Sequence, residues 1–306
     1  MGNQLKISLV ICTYNRDKYL PEALESIRMQ DAPKDLFELI IIDNNSSDNT
    51  APIAQDFIKN NPDLQANYFF EKNKGLSFAR NRGIAEAAAP VIAYVDDDAI
   101  LSPGYIQHLA SFFDAHTDAV GSGGKVIPKY ESGHPPVWMN HFLNGFVGNH
   151  DFGENIEVYD KKMKYPPGCN MAYKKEILQE AGGFNNDLKF RSDDKYIFHK
   201  IKEHRNKIYY VPAAWLFHYI DAGRLSFENF KKLFLKTGNE EKIRSRSEGG
   251  NLAVIKKGFE FMFKFCASLL IYGIFILKGN AIKGRYVALS QWYTLHGFFK
   301  KEVFVR

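Results

Sequence analysis

Apolar positions fall in short unbroken runs over the first hundred residues, and each run ends in polar or acidic residues. The runs 7–11, 37–42, 68–70 and 91–95 begin roughly 25 to 30 residues apart. Apolar runs this short, without alternation, fit strands buried on both faces, as in a parallel sheet. Helical spacing fills the gaps between them. Residues 18–29 carry Leu20, Leu24 and Ile27 on one face behind Asp17, a residue able to cap a helix. A second helix is predicted over 51–59, and a third opens in E-K-N-K-G-L-S-F and runs through Ala89. Ser102-Pro103 sets an N-cap residue before a first-turn proline, so a helix follows the fourth run. Strand and helix thus alternate four times, which predicts an α/β fold with a doubly wound, mostly parallel sheet flanked by helices. Right-handed crossovers bring the four strand ends to one edge, where open α/β sheets bind ligands.

From 121 to 167 helical periodicity disappears, and Gly, Pro, Asn, His and aromatics mix. Long irregular segments in compact domains are usually functional loops. Trp138, Phe142 and Phe146 there offer an acceptor platform, or pack the loop down. A turn and short strand over 165–173 lead to a helix over 174–181, stopped by Gly182-Gly183. A helix over 193–203 buries Ile197 and Ile201, and a closing strand at 208–211 precedes Trp215-Leu-Phe-His-Tyr219. After Ser226 the pattern is helical, with the uncharged run 265–277 between Lys264 and Lys278. Thirteen residues are too few to cross a bilayer, so these helices are expected to lie at a membrane surface or to dock on the body. The expected domains are 1–225, with a nucleotide-binding half over 5–120 and an acceptor and catalytic half over 121–225, and a helical extension over 226–306.

Composition narrows the class. The 306 residues are 45% hydrophobic and 25% charged, as in a globular protein. Cys12, Cys169 and Cys266 are widely spaced, which gives neither a zinc site nor a disulfide framework and suits a reducing cytoplasm. The N-terminus enters a strand almost at once, so no secretory signal is expected. The net charge of +5 hides an asymmetry, because residues 231–306 hold 15 Lys/Arg against 5 Asp/Glu. A basic, apolar, aromatic tail on a mildly acidic body points to the inner membrane surface and away from nucleic acid. The pattern leaves homo-oligomerisation open.

Candidate chemistry centres on V-I-A-Y-V-D-D-D-A. Side chains alternate on a strand, so Asp96 and Asp98 share one side and Asp97 points away. Clustered carboxylates repel one another, and Mg²⁺ or Mn²⁺ relieves this, with phosphate oxygens completing the shell. Thr13, Asp43 and Arg80 fall near the same sheet edge. Asp193 and Asp194 stand in the first turn of a helix, where acids suit the helix dipole, so capping is their plain alternative.

S-L-V-I-C-T-Y-N-R, I-I-I-D-N-N-S-S-D-N-T, G-L-S-F-A-R-N-R-G, Y-V-D-D-D-A and S-D-D-K-Y-I-F-H-K-I occur in this order. Over about residues 5–245 the chain resembles a family 2 glycosyltransferase of the GT-A fold. The resemblance implies a nucleotide-sugar donor held by the first two motifs. Thr13 and Tyr14 would frame the base, Asp43 would accept from the uracil or ribose, and Arg80 would lie near the base or phosphates. Packing is the alternative for Tyr14, and an ion pair with an acid for Arg80. Asp96 to Asp98 resembles the D-x-D motif, with Asp96 near the ribose, Asp97 beside it and Asp98 on the metal. His218 resembles the histidine that joins the metal shell or contacts the phosphates, with packing among aromatics as its alternative. The acid–Asp motif puts the catalytic base at Asp194, supported by Asp193 where relatives usually carry glutamate. Trp138 and Trp215 are the acceptor candidates. A processive Q-x-x-R-W motif is absent, since Gln291-Trp292 lacks the spacing and the arginine. The implied reaction is transfer of one sugar, with inversion, to a glycan or lipid-linked acceptor. A nucleotidyltransferase would carry a glycine-rich phosphate loop where T-Y-N-R-D stands, and a non-catalytic scaffold has no need of Asp194.

Overall fold

The computed structural model describes residues 4–160, 163, 165–188, 192–203 and 207–300; the ends of the two expected domains, 1–3 and 301–306, lie outside these. The described chain forms two compact units. The first holds residues 4–128, Gly148 onward to 188, and Asp193–Tyr219; the second holds Lys129–Val147, Ser192 and 220–300.

In the first unit β1 (Ile7–Thr13), β2 (Phe37–Asp43), β3 (Ala66–Phe70) and β4 (Val91–Asp96) pair in parallel in the order β3-β2-β1-β4. Their connections are α1 (Leu20–Arg28), α2 (Thr50–Asn60) and α3 (Leu76–Glu86). After β5 (Ala99–Leu101) and α4 (Tyr105–Ala115), the sheet continues through β6 (Ala119–Tyr130), β7 (Glu157–Val158), β8 (Asn170–Lys174) and β9 (Lys207–Ile220). β8 runs antiparallel to β4 and β6, and β9 antiparallel to β5 and β7. The sheet is mixed, with its parallel half where the apolar runs placed it.

Alternate residues of one strand enter different cores. Leu9, Leu39 and Ala93 pack with α1, α2 and α4 on one face. Val10, Ile40 and Ile92 pack on the other with α3, α5 (Lys175–Glu180) and α6 (Asp193–Lys202). Double-sided burial explains why these strands read as continuous apolar runs.

Three elements differ from expectation. β5 falls between the fourth run and the next helix, where no strand was expected, and α4 starts at Tyr105 behind Gly104, after the Ser102-Pro103 signal. β9 spans fourteen residues where four were expected, taking in Trp215–Tyr219. The segment from 121 begins as β6 and contains a 3₁₀ turn, His141–Phe146.

The second unit is built on α7 (Phe227–Leu277) and α8 (Ala281–Phe299). Non-helical angles at Gly249 and Gly250 break α7 in two. Gly238 lies so close to α8 that a β-carbon there would stand 2.0 Å from the Thr294 carbonyl oxygen. Trp138, Phe146, Phe230 and Val287 form this unit's core.

Candidate active site

Adjacent strand ends build one side of the site. Thr13 faces Asp43 across the β1–β2 pair, and both are buried. The Asp43 carboxylate accepts from the Tyr68 hydroxyl at 2.8 Å and from the Ser46 N–H at 2.9 Å. Asn44 accepts from the Gly75 N–H at 2.7 Å and donates to the Asn73 carbonyl at 2.6 Å, tying the loop before α3 to β2. Tyr14 is 46% exposed, with the Lys74 ammonium 5.0 Å from its ring centre. Its ring therefore stands at the surface and does not pack into the core.

β4 ends at Asp96, and a turn carries Asp97 and Asp98 into β5. β5 pairs with β9 so that Ala99 faces His218, and the Tyr219 N–H donates to the Asp98 carbonyl at 2.9 Å. Asp96, Asp98 and His218 each offer one ligand atom within 4.8 Å of the others. His218 Nε2 lies 3.3 Å from Asp98 Oδ1. Two carboxylate oxygens and an imidazole nitrogen fit Mg²⁺ or Mn²⁺, with room for phosphate oxygens and water in the shell. Gly148, at φ +71°, backs the ring: a β-carbon there would stand 2.8 Å from His218 Nδ1.

Asp97 lies in the turn, outside the three-residue cluster. It meets Arg16, whose Nε is 3.5 Å from Asp97 while Nη2 is 3.6 Å from Asp98. Burial, reinforced by the charge on Asp98, pushes the Asp97 carboxyl up to about 8 against the pull of Arg16. Arg16 is the site residue missed in the sequence. Its signal was its place in T-Y-N-R, directly after the first strand.

The acid pair lies across Arg80. Asp193 is buried and forms an ion pair with Arg80 Nη1. Arg80 Nη2 donates to the Gly168 carbonyl at 3.0 Å and lies 3.8 Å from Asp96. Burial alone would lower the guanidinium pKa; Asp193 and Asp96 outweigh it and hold the pKa above its ordinary value. Arg80 therefore joins the D-D-D turn to the acid pair through the ion pairs that were its plain alternative. Asp194 is half-buried, and its carboxylate accepts from the Gly168 N–H at 3.1 Å and the Lys195 N–H at 2.7 Å.

The glycosyl transferase family 2 model matches residues 8–182. The chain belongs to that family. A glucosyl-dolichyl phosphate glucuronosyltransferase of Haloferax volcanii is 28% identical over 197 residues, 63% of this chain and 60% of that protein. An uncharacterised glycosyltransferase of Bacillus subtilis is 30% identical over 221 residues, 72% of this chain and 76% of that one. Among solved structures, a mannosyltransferase of Pyrobaculum calidifontis in complex with GDP-Man and Mn²⁺ has a TM-score of 0.63 at 16% identity. That likeness covers 96% of this chain and 88% of that one. Staphylococcus aureus TarS in complex with UDP-GlcNAc has a TM-score of 0.58 at 18% identity, over 95% of this chain and 90% of that one. The family 2 chain thus has the GT-A fold, and it spans three fifths of the length of the Haloferax relative.

The two acceptor candidates of this family 2 chain lie in different units, Trp138 in the second and Trp215 in the first. Trp138 is buried, its indole stacked on Tyr286 at 4.5 Å and edged by Phe146 and Phe230. Its faces are taken up by packing, and Phe146 packs with it. Phe142 is 47% exposed. Trp215 is three residues from His218 on one strand, which puts the two on opposite faces.

Proposed function

We propose that this family 2 chain transfers one sugar from a nucleotide-sugar, a UDP-sugar by preference, to an acceptor hydroxyl with inversion. The acceptor is a glycan or lipid-linked molecule presented at the cytoplasmic face of the plasma membrane, in the synthesis of a cell-surface polysaccharide. The observation that carries this reading is the bridge made by Arg80 between the Asp96–Asp98–His218 cluster and the Asp193–Asp194 pair.

Thr13, Tyr14 and Asp43 stand at the strand ends that would receive the nucleoside, with Asp43 Oδ1 and Oδ2 already oriented by Ser46 and Tyr68. Asp96, Asp98 and His218 would hold Mg²⁺ or Mn²⁺, which supplies charge neutralisation for the departing diphosphate, so no protein acid is required there. Arg16 adds a cation at the same turn. Asp194 is the base: two backbone N–H groups fix its carboxylate to accept the proton of the attacking hydroxyl. Asp193 turns inward to Arg80 and sets the helix start from which Asp194 projects.

The test is thermal shift with UDP, GDP and dTDP, each with and without Mn²⁺, followed by sugar transfer with the donor so named. One nucleotide stabilises the wild type only with metal, and Asp98→Asn abolishes that shift. Asp194→Asn keeps donor affinity and loses roughly 10²- to 10⁴-fold in turnover. Full turnover in Asp194→Asn, or no shift with any nucleotide, would overturn the reading.

A further inference from the structure

Past the break at Gly250, α7 exposes apolar side chains that nothing in the described chain covers. Leu252, Phe259, Phe263, Leu270, Ile274 and Leu277 are between 52% and 90% exposed. At 3.6 residues per turn these six fall within an arc of about 60°, along roughly 38 Å of helix. They form one stripe, widened on one side by Ile255, Met262, Leu269 and Ile276, which are 48–57% exposed. Monomeric soluble proteins rarely show a contiguous apolar patch above a few hundred Å², and six half- to fully exposed large side chains exceed that. The opposite face of this helix is occupied: Gly258, Phe261 and Ser268 are buried, and Phe261 packs edge-on to Phe298 of α8 at 5.3 Å.

Charge identifies the occupant. Residues 251–300 hold seven Lys/Arg and one acid, Glu260. Lys256, Lys264 and Lys278 are exposed and fall along one edge of the stripe, about 40° to 120° from its centre. Lysines at the border of an apolar helix face reach to the lipid headgroups while the face sinks among the acyl chains. A second copy would bring one positive surface against another, whereas an anionic bilayer neutralises it.

Length decides how the helix lies. α7 holds an 18-residue window of mean hydropathy 1.8, enough by composition to cross a membrane. Its uncharged run, 265–277, rises only about 20 Å, against a hydrocarbon core of about 30 Å. Upright, the helix would draw Lys264 and Glu260, which pair at 2.5 Å, into the core. Flat, it uses the whole stripe and leaves the lysines at the headgroups.

We infer that the α7 stripe binds an anionic phospholipid surface in the plane of one leaflet. This goes beyond the transfer reaction and does not depend on it. The experiment sediments the full chain with vesicles of phosphatidylcholine alone or mixed in equal parts with phosphatidylglycerol. The wild type partitions to the mixed vesicles, less to the neutral ones, and less at high salt. Phe263→Glu combined with Leu270→Glu lowers partitioning by at least about a hundredfold, with the circular dichroism spectrum and nucleotide-induced thermal shift unchanged. Lys256→Glu with Lys278→Glu abolishes the preference for anionic vesicles. Absence of wild-type binding, or binding unmoved by the stripe variant, overturns the inference. So does a wild-type dimer in light scattering that the stripe variant dissociates, since the stripe would then seat a second copy. Resistance to alkaline carbonate extraction from cell membranes overturns the in-plane geometry in favour of a span.

Discussion

Replacing Arg80 by methionine tests the bridge most directly. The guanidinium is 3% exposed and serves Asp193, Asp96 and the Gly168 carbonyl. Methionine fills similar space without charge and leaves the buried Asp193 carboxylate uncompensated. Removing one partner of a buried ion pair costs about 3–5 kcal/mol. At roughly 2–4 °C per kcal/mol, this lowers Tm by about 6–20 °C. Asp193→Asn in the same chain removes the stranded charge, and apolar or neutral replacements of both partners are often near neutral in stability. The double variant therefore recovers at least about 2 kcal/mol relative to the sum of the single changes. The assay is a double-mutant cycle by urea unfolding of wild type, both single variants and the double variant, with transfer activity measured alongside. Recovered stability without recovered activity matches a bridge that positions the acid pair. Additive losses within about 0.5 kcal/mol, or a loss under 1 kcal/mol for Arg80→Met, would refute the coupling.

Other outcomes follow from single contacts. Gly148→Ala puts a β-carbon against His218 and a side chain on a positive φ, so Mn²⁺ affinity, read by titration calorimetry, falls by roughly 10- to 100-fold. Burial pushes His150 down to about 4, so its neutral form supports the fold above pH 6.5. That support is lost as pH falls through 4, by at most about 3 kcal/mol. Tm against pH is accordingly flatter in His150→Gln than in the wild type across that window. Trp138→Ala costs about 3–5 kcal/mol as a core truncation, and leaves acceptor KM unchanged in whatever enzyme stays folded; a selective rise in KM would restore Trp138 to the acceptor site.

The parallel half of the fold was legible because residues such as Leu9 and Ile40 must be apolar on both faces of a covered sheet, and short apolar runs are the direct trace of that. β5 was not, because Ala99–Leu101 carries no period of its own and is a strand only through pairing with Leu216–His218. β9 was under-read for the same reason, its outer half being extended by a distant partner. Among candidate site residues, the place of the D-D-D turn at the end of β4 and of Asp194 in the first turn of α6 was legible from the sequence. Arg80 shows the limit, since its plain alternative, an ion pair with an acid, is what the fold adopts. Arg16 was invisible as a partner of Asp97 because the two are 81 positions apart in the chain. Trp138 was left with two readings because an aromatic in an irregular segment looks alike whether it packs or binds.

The cluster's third member arrives late in the synthesis of each molecule. Asp98 and His218 are 120 residues apart, and ribosomes add about 5–20 residues per second. The nascent chain therefore carries the D-D-D turn for roughly 6–24 s before His218 has even been added. Through that interval the turn has carboxylates but no imidazole, and no β9 to clamp the Asp98 backbone. A metal held by all three residues would therefore need a chain whose last strand has closed the sheet, and its affinity would report on that closure.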